Sequence, residues 1–158
     1  MRGCLEMTEE TGRSDCYLRK AQPEDIDLLF EWANDRETRL NSFNTQTITR
    51  SEHERWFASM MKDPYRIQYI MMHEDVPVGQ IRLDITDQEA EISYTIAPLQ
   101  RGKGFGCQII ALAMKQIKVD TPDVTRLRGQ VKPHNSASMA CFRRNGFTED
   151  NGTYEITI

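Results

Sequence analysis

Paired cysteines, histidine clusters and long apolar runs are what this sequence lacks. Its four cysteines, Cys4, Cys16, Cys107 and Cys141, form no C-x-x-C pair, and only three histidines accompany them. A structural zinc site is therefore not expected, and no metal is assigned. No stretch approaches the roughly 18–20 apolar residues of a membrane span. The net charge is −4, which argues against a general nucleic-acid binder. The first fifteen residues are polar and acidic, without the apolar core of a secretory signal. We expect residues 1–14 to be a flexible tail and residues 15–158 to form one domain. A cytoplasmic, reduced protein follows.

Two common phosphate-binding patterns are missing as well. No Lys-Ser or Lys-Thr follows a glycine loop, which excludes the loop of NTPases. The spacing of Gly102, Gly104 and Gly106 does not give the dinucleotide fingerprint G-x-G-x-x-G. What stands there is Gln100-Arg101-Gly102-Lys103-Gly104-Phe105-Gly106, between an alternating strand and an amphipathic helix. Glycines admit φ > 0 and let a ligand approach the backbone. A helix opening here points free N–H groups and its positive dipole end outward. Together these make a cradle for a pyrophosphate. A plain strand-to-helix turn needs one glycine, not three with flanking cations.

Periodicity supplies the elements. Tyr17–Lys20 reads as a strand. Pro23, with Glu24 and Asp25, opens a helix striped by Ile26, Leu29, Phe30 and Ala33. Arg36–Leu40 reads as a short helical piece and Asn41–Arg50 as loop. Ser51 and Glu54 fit a capping box for a helix ending near Lys62, before Asp63-Pro64. Strands follow near Ile67–His73, Pro77–Ile85 and Glu89–Ile96, with links short enough for hairpins. A helix carries Ile109, Ile110, Ala113, Met114 and Ile117. Arg126–Val131 is another strand. Asn135 caps a last helix that Gly146 terminates. Phe147–Thr148 and Thr153–Ile158 close the chain around Asn151-Gly152. The fold class is α/β, a mixed, mostly antiparallel sheet with helices on both faces.

The order R-x-x-G-x-G after a strand ending in Ile96-Ala97-Pro98 resembles the acetyl-coenzyme A loop of the GNAT acetyltransferases. A second stretch agrees: Asn135-x-x-Ser138, then Phe142 and Asn145-Gly146-Phe147. The resemblance covers about residues 16–158. It implies an N-acetyltransferase with acetyl-CoA as co-substrate and a small-molecule amine as acceptor. The N–H groups of Arg101, Gly102, Lys103, Gly104, Phe105 and Gly106 would hold the pyrophosphate. The backbone of Tyr94, Thr95 and Ile96 would pair with the pantetheine arm, which Asn135 and Ser138 also line. A backbone N–H near Ile96 would serve the oxyanion. Many of this family pair through C-terminal strands, so a homodimer stays open. Neither a nucleic-acid nor a membrane partner is expected.

A third stretch narrows the resemblance. Trp32-Ala33-Asn34-Asp35, Arg39, Ser42-Phe43, Glu52-His53-x-x-Trp56-Phe57 and Gly79–Asp84 are similar to acetyltransferases of nucleotide-linked amino sugars, those of the pseudaminic acid pathway. The implied acceptor is the 4-amino group of a UDP-linked deoxy sugar. A protein amine, such as a ribosomal N-terminus, is the alternative. A non-catalytic acyl-CoA-binding module is a third reading.

Acetyl transfer needs a base, an oxyanion donor and a proton for the leaving thiolate. Glu91 is the candidate base, acting directly or through water, or else a solvent-facing strand residue. Asp84 is the weaker candidate. The family's tyrosine acid, seven residues after the motif asparagine, falls here on Phe142, which has no proton to give. Tyr94 and Cys141 are the nearby donors. Trp56, Phe57 and Met60 read as core. His53 shares their stripe and reads as catalytic or acceptor-binding, because a histidine on an apolar stripe needs a partner. Arg39 and Arg82 would meet acceptor phosphates or form surface ion pairs.

Overall fold

The computed structural model describes residues 15–158, so the tail expected at residues 1–14 lies outside the described residues. The chain runs β1 (Cys16–Lys20), α1 (Ile26–Ala33) after a 3₁₀ turn at Pro23–Asp25, α2 (Arg36–Asn41) and α3 (Arg50–Lys62). Then come β2 (Arg66–His73), β3 (Val76–Thr86), β4 (Glu89–Ile96) and α4 (Phe105–Asp120). The closing elements are β5 (Arg126–Gln130), α5 (Ser136–Arg144), β6 (Thr148–Asp150) and β7 (Thr153–Thr157). The seven strands form one sheet in the order β1-β2-β3-β4-β5-β7-β6. Every neighbouring pair is antiparallel except β4 with β5. The tight hairpins use φ > 0 at Glu74 and Asp75, at Asp87, and at Asn151 and Gly152, as two-residue turns between twisted strands require.

Alternation along β2 sends residues to both faces. Tyr69 and Met71 join Ile81, Leu83, Ala90, Ile92 and Leu127 under α4, whose Ile109, Ile110 and Ile117 are fully buried. Each such side chain contributes about 1.5–3 kcal/mol by leaving water. Ile70 and Met72 face the other way, onto Leu29, Trp32, Phe57 and Met60 of α1 and α3. Beyond β2 this cover thins: α1 still touches β4, and Trp56 of α3 lies over Arg82 of β3. The same face of β3 and β4 carries Gln80, Arg82, Asp84, Glu91 and Ser93, none of them buried. A polar recess is left where the cover thins.

The N-terminal cap of α3 differs from the expected one. Thr49 is the cap: its hydroxyl accepts from Glu52 N–H at 3.2 Å, and Glu52 accepts from Thr49 N–H at 3.1 Å. Glu54, expected to reach back to Ser51, binds Arg50 instead at 3.0 Å. Thr49-x-x-Glu52 and Ser51-x-x-Glu54 satisfy the same local rule. His53, in the first turns of α3, packs against α1. His53 is 3% exposed, packed against Phe30, Trp56 and Phe57. Its Nε2 lies 2.8 Å from the Ile26 carbonyl oxygen and donates to it. Burial lowers its pKa, with the carbonyl bond opposing.

The parallel pairing of β4 with β5 ends early. It runs from Glu89–Arg126 to Ile92–Gly129 and no further. At Gly129 the Phe142 ring takes the space of a side chain. A Cβ there would stand 2.5 and 2.8 Å from ring carbons. Phe142 also stacks on Tyr154 and meets Tyr94 and Phe147 edge-on. It is a wedge in the core, held between the two parting strands.

Gly129→Ala is expected to destabilise the fold by about 1–3 kcal/mol through overpacking. Adding Phe142→Leu should restore part of that loss in urea denaturation, and an unchanged midpoint for Gly129→Ala would remove the wedge. The second prediction concerns pH. A histidine kept neutral in the fold is protonated in the unfolded chain below its ordinary pKa of about 6.5. The unfolded state then binds more protons, so stability falls as pH drops through 6.5 towards the lowered native value. His53→Gln keeps a donor for Ile26 and cannot titrate. The wild-type urea midpoint should fall more steeply than the variant's between pH 7.5 and 5.5; parallel slopes would show that His53 is not the group.

Candidate active site

One cavity of about 1010 Å³ runs along the parting of β4 and β5 and opens on both sides of it. Every residue expected at the site lines it except Lys103. Lys103 turns its amine to Gln100 Oε1 at 3.1 Å and is exposed.

On one side the cavity is built for an anion. Gly102 and Gly104 have φ of 75° and 83°, and no atom lies within 4 Å of a Cβ built at either. They are glycines for backbone reasons, and the loop face stays open. Gly104 begins α4 with no side-chain cap. The first-turn amides therefore point into the cavity, with the dipole's positive end behind them. No acidic residue sits in that first turn. The Arg101 side chain is already engaged: Nη2 donates to Asp35 at 2.6 Å, and Nη1 to Glu37 at 2.8 Å. Its contribution to an anion is its backbone; its guanidinium ties the loop to α2.

Beyond Ile92 the β5-facing edge of β4 has no strand partner among the described residues at Ser93, Tyr94, Thr95 or Ile96. Such an edge accepts an extended ligand as an added strand. Tyr94 reaches across the gap, and its hydroxyl donates to Ser138 Oγ at 2.9 Å. Burial pushes the phenol pKa well above its ordinary value, the Ser138 contact opposing. Asn135 caps α5, its Oδ1 accepting from Ser138 N–H at 3.3 Å. Phe142 lines the cavity only as the wall described above.

The other side is the polar recess. Asp84 and Glu91 are cross-strand partners on the open face of the sheet. Glu91 is exposed, so the desolvated carboxylate expected of a buried base is not found there. Asp84 Oδ2 accepts from Arg82 Nε at 3.2 Å, while Oδ1 is buried without a partner among the described residues. Arg82 is therefore half of an ion pair, and its guanidinium lies 5.3 Å from the Trp56 ring centroid. Gln68 and Gln80 join side chain to side chain at the back.

Two expectations change here. His53 touches the cavity from within the α1–α3 core, and its ring nitrogen Nε2 is committed to Ile26. It is a packing residue that holds α3 to α1, since a buried donor needs a partner. Arg39 does not face a phosphate. Nε donates to Ala33 O at 2.6 Å, Nη1 to Asn44 O at 3.0 Å, and Nη2 to Ser42 Oγ at 3.1 Å. It fastens the 42–49 loop over the recess. Asn34 does the same, pairing with Ile48 N and O at 2.8 Å each. Local pattern gave no hint of these loop bonds, because their partners are main-chain groups up to 14 residues away.

Comparison with known proteins agrees with this geometry. The family model "Acetyltransferase (GNAT) domain" matches residues 15–148. The uncharacterized N-acetyltransferase YfmK of Bacillus subtilis (strain 168) is 26% identical over 130 residues, 80% of this chain and 81% of that protein. Spermidine N-acetyltransferase from Vibrio cholerae, solved with CoA and spermine, has a TM-score of 0.81 at 20% identity, covering 91% of this chain and 96% of that one. The aminoglycoside acetyltransferase AAC(6')-Ib with coenzyme A gives 0.76 at 19% identity over 90% and 94%. RimL, the ribosomal L7/L12 α-N-protein acetyltransferase with coenzyme A, gives 0.78 at 20% identity over 91% and 94%. With the glycine loop, the parted strands and the sheet order all in place, the chain belongs to the GNAT acetyltransferase family.

Proposed function

We propose that the protein transfers the acetyl group of acetyl-CoA to a primary amine, and that this amine is the 4-amino group of a UDP-linked deoxy sugar. The observation that carries the reading is the single cavity joining an anion cradle and an unpaired strand edge to a polar recess. In this reading the first-turn amides of α4 and the 101–106 backbone hold the pyrophosphate. Tyr94, Thr95 and Ile96 pair with the pantetheine arm, bringing the thioester to the gap between β4 and β5. The recess offers Gln80, Asp84, Glu91 and Ser93 to hydroxyls and an amine, and Trp56 as a flat wall, a combination suited to a sugar ring. Of the structural neighbours named above, one is a spermidine N-acetyltransferase solved with spermine and another is an aminoglycoside acetyltransferase, which supports an amine carried by a small molecule.

The chemistry divides among three groups. Glu91, solvated on the cavity wall, takes the proton of the acceptor ammonium through water. The Asp84 carboxylate, paired with Arg82 and facing Glu91 across the strands, orients the amine. After collapse of the tetrahedral adduct the coenzyme A thiolate needs a proton, and Tyr94 supplies it. Ser138 orients the hydroxyl at 2.9 Å.

A screen of UDP-4-amino sugars, spermidine and N-terminal peptides, read by free thiol release, tests the acceptor. Turnover should be highest with the nucleotide sugar. Preference for spermidine would assign the Asp84–Glu91 pair to a cation, and preference for the peptide would favour a protein amine. With the preferred acceptor, Glu91→Gln should lower kcat/KM by about 10²–10⁴ near pH 7. The loss should shrink as pH rises towards the amine's own pKa; a pH-independent ratio would move the base to Asp84 or to water alone. Tyr94→Phe should lower kcat by about 10²-fold with acetyl-CoA affinity unchanged. An undiminished kcat would leave the thiolate to solvent.

A further inference from the structure

The sulfurs of Cys107 and Cys141 lie 2.9 Å apart, and the acetyl transfer described above uses neither. Cys107 stands in the first turn of α4 and Cys141 towards the end of α5. Both are half-buried and line the cavity. Contacts that do not involve the thiols bring them together. Asn145 Nδ2 donates to Cys107 O at 3.1 Å and to Cys141 O at 2.9 Å, fastening the two helices there. A Cβ at Gly106 would stand 3.2 Å from Cys141 Sγ, so the glycine leaves room for the second sulfur. Arg144 Nη1 lies 3.9 Å from Cys107 Sγ and offers a cation to an anionic reagent arriving there.

We propose that Cys107 and Cys141 are a reversible oxidation site that takes low-molecular-weight disulfides, glutathione disulfide among them, and closes to a disulfide beside the cofactor channel. The thiolate of Cys107 attacks one sulfur of glutathione disulfide. A bond forms between Cys107 and that glutathione, and the other leaves as a thiolate that takes a proton. Cys141 then gives up its proton and attacks the Cys107 sulfur, so the internal disulfide forms and the second glutathione leaves. Two cysteine thiols are oxidised and one disulfide is reduced to two thiols. The second step is intramolecular and needs the sulfurs to close only to about 2.05 Å. The mixed adduct is therefore short-lived. Burial, then the Cys107 thiol, raises the Cys141 pKa, which suits a residue that resolves rather than attacks. Acetyl-CoA seated in the channel covers the pair and slows the reaction; this part alone rests on the cofactor site.

The test exposes the Cys4→Ser/Cys16→Ser protein to glutathione disulfide at neutral pH and follows intact mass and peptide maps. The expected result is a loss of two hydrogens, a Cys107–Cys141 linked peptide, and reversal by dithiothreitol. Acetyl-CoA at about ten times its Kd should slow closure about tenfold. Adding Cys141→Ser should leave a stable glutathione adduct on Cys107. A stable adduct in the protein that retains both cysteines, or two unreacted thiols, would overturn the proposal. Equal rates with and without acetyl-CoA would overturn the placement of the pair in the channel. If the double-serine protein fails to fold, the same linked peptide is sought in the wild-type chain. Mass is the readout and no acceptor is added, so failure of the acceptor assignment leaves this result standing.

Discussion

The parting of β4 from β5 is the constraint on which the rest depends. Two parallel strands pair for four residues each and then separate, which exposes main-chain groups of Tyr94, Thr95 and Ile96 in the middle of a sheet. Such an opening is unfavourable unless something holds it. Here the Phe142 ring occupies the place of the missing side chain at Gly129, and Tyr154 and Phe147 back the ring. The site is thus an interruption of the ladder, kept open by an aromatic cluster and ready for a ligand that resembles a strand.

Position around that opening is set by chain segments whose polar side chains serve the backbone. Asp35 caps α2 by accepting from Thr38 N–H at 3.1 Å, and also receives Arg101 from the anion loop. Asn34 and Arg39 secure the 42–49 loop through its main-chain groups. The α2 segment reaches the far wall as well, where Lys132 donates to Leu40 O at 3.1 Å. The stretch from Trp32 to Phe43 is therefore architecture. It lines the recess and holds the 42–49 loop beside it.

Much of this was legible in the sequence, and the exceptions share one cause. Glycines before an amphipathic helix, the Asn135 cap and the alternation of β2 to β4 are local signals, and each appears in the structure where expected. The cap of α3 is ambiguous in sequence because two overlapping windows satisfy one rule, of which the structure uses Thr49-x-x-Glu52. His53 itself looked reactive because its partner is a main-chain oxygen 27 residues away. Arg39, open in sequence between an acceptor phosphate and a surface ion pair, instead binds the nearby main-chain oxygens of Ala33 and Asn44. Sequence leaves Glu91 open between a base and a solvent-facing strand residue, because its exposure depends on what covers that face of the sheet. Periodicity reports which face a residue takes; it does not report whether another element covers that face.

The proposed proton donor, Tyr94, is compatible with the same geometry. A tyrosine in place of Phe142 would carry its hydroxyl beyond the ring atom that already stands 2.5 Å from the missing Cβ of Gly129. Once that position serves as the wedge, it has no room to serve as the acid. Tyr94 enters the gap from the strand side, meeting Phe142 edge-on at 6.0 Å between ring centroids. Its hydroxyl lies at the first turn of α5, beside Ser138. A half-buried phenol on β4 and a buried phenyl on α5 together fill the space between the strands. Assigning packing to the helix residue and protonation to the strand residue satisfies both demands without altering the opening.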